Sequence, residues 1–204
     1  AMGQGIALAS LDVTTTGTTT LSGNISSQGA GGLDFTGADG GTVLGAAAVT
    51  LQSAAGNGPV NFQTSAISGA GNAVTFAAGG GALTLDDAGA AGTELGGVTV
   101  GSAGNANLYG DIYTDGGLDF TGVTGNVSID AAAVTLQTSS DNGAVDLTGT
   151  ALEGGGSLTV NAGAGTVDFA GVGQTTALAS LDVNTTGAAT LGGNITTDTG
   201  TGVL

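Results

Sequence analysis

The stretch Ala7-Leu8-Ala9-Ser10-Leu11-Asp12-Val13 returns unchanged as Ala177-Leu178-Ala179-Ser180-Leu181-Asp182-Val183. Two further blocks recur at half that separation. Leu33-Asp34-Phe35-Thr36-Gly37 returns as Leu118-Asp119-Phe120-Thr121-Gly122, and Ala46-Ala47-Ala48-Val49-Thr50-Leu51-Gln52 as Ala131-Ala132-Ala133-Val134-Thr135-Leu136-Gln137, both 85 residues on. Self-similarity at a fixed period marks a repeat architecture, in which each unit buries its apolar residues against its neighbours. The fold must therefore be one that stacking can extend.

The local unit inside this repeat is apolar-polar-apolar. Leu11-Asp12-Val13, Leu33-Asp34-Phe35, Val49-Thr50-Leu51, Val74-Thr75-Phe76 and Leu158-Thr159-Val160 are examples. This is the two-residue period of a strand, with flanking residues turned in and the middle one turned out. Between such motifs lie Gly79-Gly80-Gly81, Gly154-Gly155-Gly156 and Asn57-Gly58, which are turn sequences. No segment carries the 3.6-residue period of an amphipathic helix, so no significant helix is expected.

Short strands separated by turns fit a sandwich, a propeller or a solenoid, and the 85-residue period selects the solenoid. The motifs, together with the single apolar anchors Leu21, Ile25 and Ile67, predict about four coils of about 21 residues per period, each coil holding three short strands. The expected fold class is all-β: a parallel β-helix of about 9–10 coils, on the order of 45 Å long at about 4.8 Å per coil. Residues 1–6 read as a lead-in, with Ala1-Met2-Gly3 as a cloning remnant, and the chain as a segment of a longer one. Residues 7–93 form module 1, 94–176 module 2 and 177–204 the opening of module 3 of one continuous solenoid. Offsets of 84 for Val74 to Leu158, and of 87 then 83 from Leu8 through Leu95 to Leu178, place small insertions in the loops.

Composition then narrows the function. Sixteen acidic residues stand against no Lys, Arg or His, a formal charge of −16. Such a surface repels nucleic acid and anionic membrane, and no apolar run approaches the ~18 residues of a membrane span. Without His or Cys, the usual general bases, thiol nucleophiles and soft-metal ligands are missing, so no enzyme activity is expected. Polysaccharide cleavage on a β-helix would also call for basic and aromatic residues around an acid pair, and only Tyr109 and Tyr113 offer a phenol.

Blocks such as Ala46-Ala47-Ala48-Val49-Thr50-Leu51 and Leu191-Gly192-Gly193-Asn194-Ile195-Thr196, set among stacked strands rich in Thr, Val, Ala, Asn and Gly, resemble the repeat shafts of filamentous-haemagglutinin-like exoproteins. Those are giant surface adhesins of Gram-negative bacteria, secreted by the two-partner route. The resemblance covers nearly the whole chain. It implies a right-handed β-helix serving as an extended rod at the bacterial cell surface, in contact with a host or neighbouring cell or with matrix.

Three sets of outward residues are candidates for chemistry. Asp12, Asp34, Asp119, Asp146, Asp168 and Asp182 occupy middle positions, and Asp111, Asp115 and Asp119 form the densest acidic cluster. Calcium is the one cofactor these hard oxygen ligands admit, and Asp111, Asp115 and Asp119 are the candidate metal site; the alternative is a solvated acidic face. Thr50, Thr75, Thr84, Thr99, Thr135 and Thr159 also take middle positions. They raise an ice-binding face, against the simpler reading that threonine suits an exposed pleated surface. Asn24, Asn126, Asn184 and Asn194 each open an Asn-x-Ser/Thr sequon, and Asn24 and Asn194 are expected to turn the chain or to stack as amide ladders. The expected function is a structural and adhesive shaft. The alternatives are a calcium-dependent, self-assembling extracellular matrix or filament protein and an ice-binding solenoid, with end-to-end self-association through exposed terminal coils.

Overall fold

A computed structural model describes residues 2, 5–6, 8–138, 140–198 and, for the backbone only, 202–203. Ala1, Gly3 and Ala7, which fall in the lead-in and the first repeat block, lie outside the described residues. The chain is an all-β solenoid in which every strand pairing is parallel, and no helix occurs among the described residues. Each coil visits three faces in the order A, B, C. Face B shows the stack most completely: Leu11, Leu33, Val60, Leu83, Ala106, Val127, Leu152, Val172 and Ile195 lie one above the next.

Faces A and B share a 14-stranded sheet because the long strand Ile25–Ala38 turns the corner between them. Face C holds a three-stranded and a five-stranded sheet, joined by the single-residue bridges Ile67–Ala88 and Ala88–Ile112. Pairing passes through the expected module boundary without a break, as in Val74–Val98.

The flanking residues of the interior motifs are buried, and their middle residues are half-buried or exposed. Phe35, Phe62, Phe76, Phe120 and Phe169 are all fully enclosed. Phe35 stacks on Phe62 at 4.4 Å between ring centroids, and Phe62 meets Phe76 edge-on at 6.0 Å. The core is thus one narrow column, filled coil by coil. At the turn entering face A the coils approach so closely that a side chain is excluded. A Cβ on Gly116 would lie 2.1 Å from the Gly96 carbonyl oxygen, and one on Gly143 would lie 2.0 Å from that of Gly116.

The structure refines two sequence expectations. The turns number about 8 and are spaced about 23 residues apart, against the 9–10 coils of 21 residues expected above. The module is also not four coils. Counting up from Leu33 on face B, Val60, Leu83 and Ala106 complete three coils, and Ile112 on face C then Leu118 on face A add two faces more. The 85-residue repeat therefore spans eleven faces, and module-equivalent residues move back one face per module. Leu11 lies on face B, its counterpart Val98 on face A and Leu181 on face C. Asp34 and Asp119, equivalent in sequence, accordingly lie on different faces.

Candidate functional site

Outward side chains form lanes parallel to the rod axis, one residue per coil. On face A the lane reads Thr50, Thr75, Thr99, Asp119, Asp146, Asp168, Thr190. On face B it reads Asp12, Asp34, Asn61, Thr84, Asn107, Ser128, Glu153. The three threonines on face A are flanked by Ala73 and Ala77 on one coil and by Gly97 and Gly101 on the next. They form a single lane, not the paired lanes of a Thr-x-Thr array. A shallow groove of about 440 Å³ runs beside this lane, walled by Thr75, Thr99, Asp119 and Asp146 over Gly96, Gly97 and Gly117.

The three candidate calcium ligands are distributed over two faces. Asp111 stands at the turn before the face C strand Ile112–Tyr113, Asp115 beyond that strand, and Asp119 on the face A strand Leu118–Asp119. Among the described residues, no group of three or more His, Cys, Asp or Glu side chains is placed to hold a metal ion. The lane Asp119–Asp146–Asp168 is instead held by local turns. Asp119 Oδ1 accepts the Thr121 N–H and hydroxyl, and Asp146 Oδ1 accepts those of Thr148.

Sequence reasoning missed a different use of the Asx side chains, the bracing of one coil to the next. Asn24 Oδ1 accepts the Thr50 N–H at 2.9 Å, and Asp111 Oδ1, at the same module position, accepts the Thr135 N–H at 2.7 Å. Asn57 and Asn142, 85 residues apart, both hold positive φ and accept the N–H of Gly80 and Ala164 respectively. The Ser53 hydroxyl donates to the Gly58 carbonyl as the Thr138 hydroxyl does to Gly143. The usable signal was the triplet Gly23-Asn24-Ile25 against Gly110-Asp111-Ile112. Asn and Asp exchange there, so the shared acceptor oxygen matters and the charge does not.

Asn24 thus acts as a brace to the next coil, and an amide contact, Asn184 Nδ2 donating to Asn161 Oδ1, lies outside the core. Glu153, the one buried carboxylate among the described residues, accepts the N–H groups of Thr175 and Thr176 in the next coil. Tyr113 lies beside Asp111 and Asp87. Burial first, then the negative charges of Asp111 and Asp87, push its phenol above the ordinary range. What the surface offers chemically is hydroxyl, amide and carboxylate oxygen, with much of the carboxylate committed to the backbone.

No protein-family model matches the chain, and no curated protein or solved structure matches it.

Proposed function

We propose that the chain is a shaft segment of a large secreted bacterial surface protein, a rod that serves adhesion or biofilm formation by contact with a host cell, a neighbouring cell or matrix. The observation that carries this reading is the parallel pairing of successive coils on all three faces, through short strands and single-residue bridges, with Asx side chains joining one coil to the next. Backbone pairing along the whole axis makes a stiff body without helix or disulfide, and each fully buried Leu, Val, Ile or Phe adds roughly 1.5 to 3 kcal/mol to it. The role is mechanical and extracellular, and the outward lanes of small hydroxyl and acidic residues keep the shaft solvated.

The test is surface labelling. Antibodies raised against the folded chain should stain intact cells that produce it, and beads coated with the chain should adhere to cultured cells or matrix. Staining that appears only after permeabilisation would overturn the proposed location. Beads that adhere no better than uncoated ones would restrict the segment to a spacer.

A further inference from the structure

Aromatic rings turn inward almost everywhere in this chain. The five phenylalanines are enclosed, and the outward lanes of faces A and B are built from Thr, Ser, Asn, Asp and Glu. Tyr109 breaks the pattern, at 37% exposed the one exposed aromatic among the described residues. It stands at the corner between faces B and C, just beyond the strand Ala106–Leu108 and before the strand Ile112–Tyr113. The corner lies in the interior of the stack, with paired coils on both sides.

Backbone pairing sets what surrounds the ring. Leu108 pairs with Leu85 in the coil before and with Ile129 in the coil after. The Tyr109 N–H donates to the Leu85 carbonyl, and the Asp130 N–H to that of Leu108. Tyr109 therefore stands between Asp86 on one coil and Asp130 on the other. Its neighbour Gly110 leaves a space that two carboxylates lean over: a Cβ there would lie 2.5 Å from Asp87 Oδ1 and 2.7 Å from Asp86 Oδ1. Asp87 Oδ1 accepts the Asp111 N–H, whereas no hydrogen bond reaches the Asp86 carboxylate among the described residues.

Two like charges thus converge beside an exposed aromatic ring, and the chain holds no Lys, Arg or His to meet them. A complementary cation must come from outside. Among the described residues no group of three acids is placed to hold a metal ion, and a bare ion would make no use of the ring. A guanidinium uses both features, because it stacks on an aromatic face and its planar fork of N–H donors matches carboxylate oxygens.

We propose that this corner binds an arginine side chain of a partner protein, with the guanidinium over the Tyr109 ring and its N–H donors directed to Asp86 and Asp87. The partner presents that arginine on an exposed basic segment, drawn to the rod by its uniform negative charge. The site stands whether or not the chain serves as a surface shaft.

The test is fluorescence anisotropy of a labelled peptide of alternating glycine and arginine, titrated with the purified chain at low salt. The expected result is saturable binding, weaker for a lysine peptide of the same length and charge. Tyr109→Leu changes no charge and should weaken binding of the arginine peptide about two- to fivefold, while Tyr109→Trp, which keeps a ring, should retain or tighten it. Asp86→Asn should weaken binding too. Asp168→Asn removes the same charge from face A and should leave it unchanged. Melting of each variant checks that the fold is intact. The proposal is overturned if the arginine peptide does not bind, or if it binds no better than the lysine peptide. Binding indifferent to Tyr109→Leu, or weakened equally by Asp168→Asn and Asp86→Asn, would also overturn it, since attraction to the overall charge would then suffice.

Discussion

Phe35 and its neighbour Asp34 show how sharply the chain separates its inner and outer positions. Phe35 is fully buried and stacked on Phe62, so Phe35→Ala should cost about 3–5 kcal/mol in urea unfolding through the cavity it leaves. Asp34 uses Oδ1 to accept the Thr36 N–H and hydroxyl. Asn keeps that oxygen, and Asp34→Asn should change stability by less than about 0.5 kcal/mol. Asn57 carries two requirements together, a φ of 49° and the acceptor for Gly80. Asn57→Gly loses the second alone; Asn57→Ala loses both and should melt lower, by about 1 kcal/mol more. Tyr113 adds a sensitivity to alkali. Its phenol is held neutral in the folded state to higher pH than in the unfolded chain, so its contribution is complete below the ordinary tyrosine range and is lost as pH rises through and beyond it. Melting followed into alkali should fall less steeply in Tyr113→Phe. These inward and outward roles were legible in the sequence because a two-residue period dictates them. The bracing by Asn24, Asp111 and Asn57 was not, because the acceptor and its donor lie a whole coil apart.

At the level of the strand, the sequence showed that stacking occurs but not on which face each strand lies. Every face is built from the same apolar-polar-apolar unit, so Leu33-Asp34-Phe35 on face B and Leu118-Asp119-Phe120 on face A are locally interchangeable. A module of eleven strands then costs no more than one of twelve, and the repeat length alone misleads by suggesting whole coils. The same ambiguity produced the Asp111–Asp115–Asp119 candidate. Spacing along a chain that turns a corner is not spacing in space, and the structure separates those residues over two faces. Cysteine pairs test the coil-to-coil register. Asp119 and Asp146 are direct partners on adjacent coils, a separation that suits a disulfide, so Asp119→Cys with Asp146→Cys should cross-link under mild oxidation. Asp34→Cys with Asp119→Cys should remain reduced, being on different faces and roughly 17 Å apart along the axis at about 4.8 Å per coil. Gel mobility of the unfolded, oxidised variants reads both outcomes, and a first pair that stays reduced would overturn the pairing of Asp119 with Asp146 on adjacent coils.

Across the whole molecule the governing fact is a charge of one sign. All 16 acidic residues lack any Lys, Arg or His in the chain to pair with, so every long-range charge interaction within the rod is repulsive. The three stacked aspartates Asp119, Asp146 and Asp168 concentrate that repulsion on one face. Backbone pairing and the buried column must outweigh it, and screening helps them, since the chain has no cationic side chain to form an attractive ion pair. Added salt shortens the Debye length from about 30 Å at 0.01 M to about 3 Å at 1 M, and Tm should rise steadily across that range. Proteins held together by ion pairs move the other way. The identity of the cation then separates screening from binding. With no described group of three acidic side chains placed to hold a metal ion, calcium and magnesium at equal ionic strength should raise Tm equally, and EDTA should leave it unchanged. A calcium shift many degrees beyond that of magnesium would show that the acidic lanes bind the ion specifically, and would move the balance from a plain shaft toward a calcium-dependent assembly.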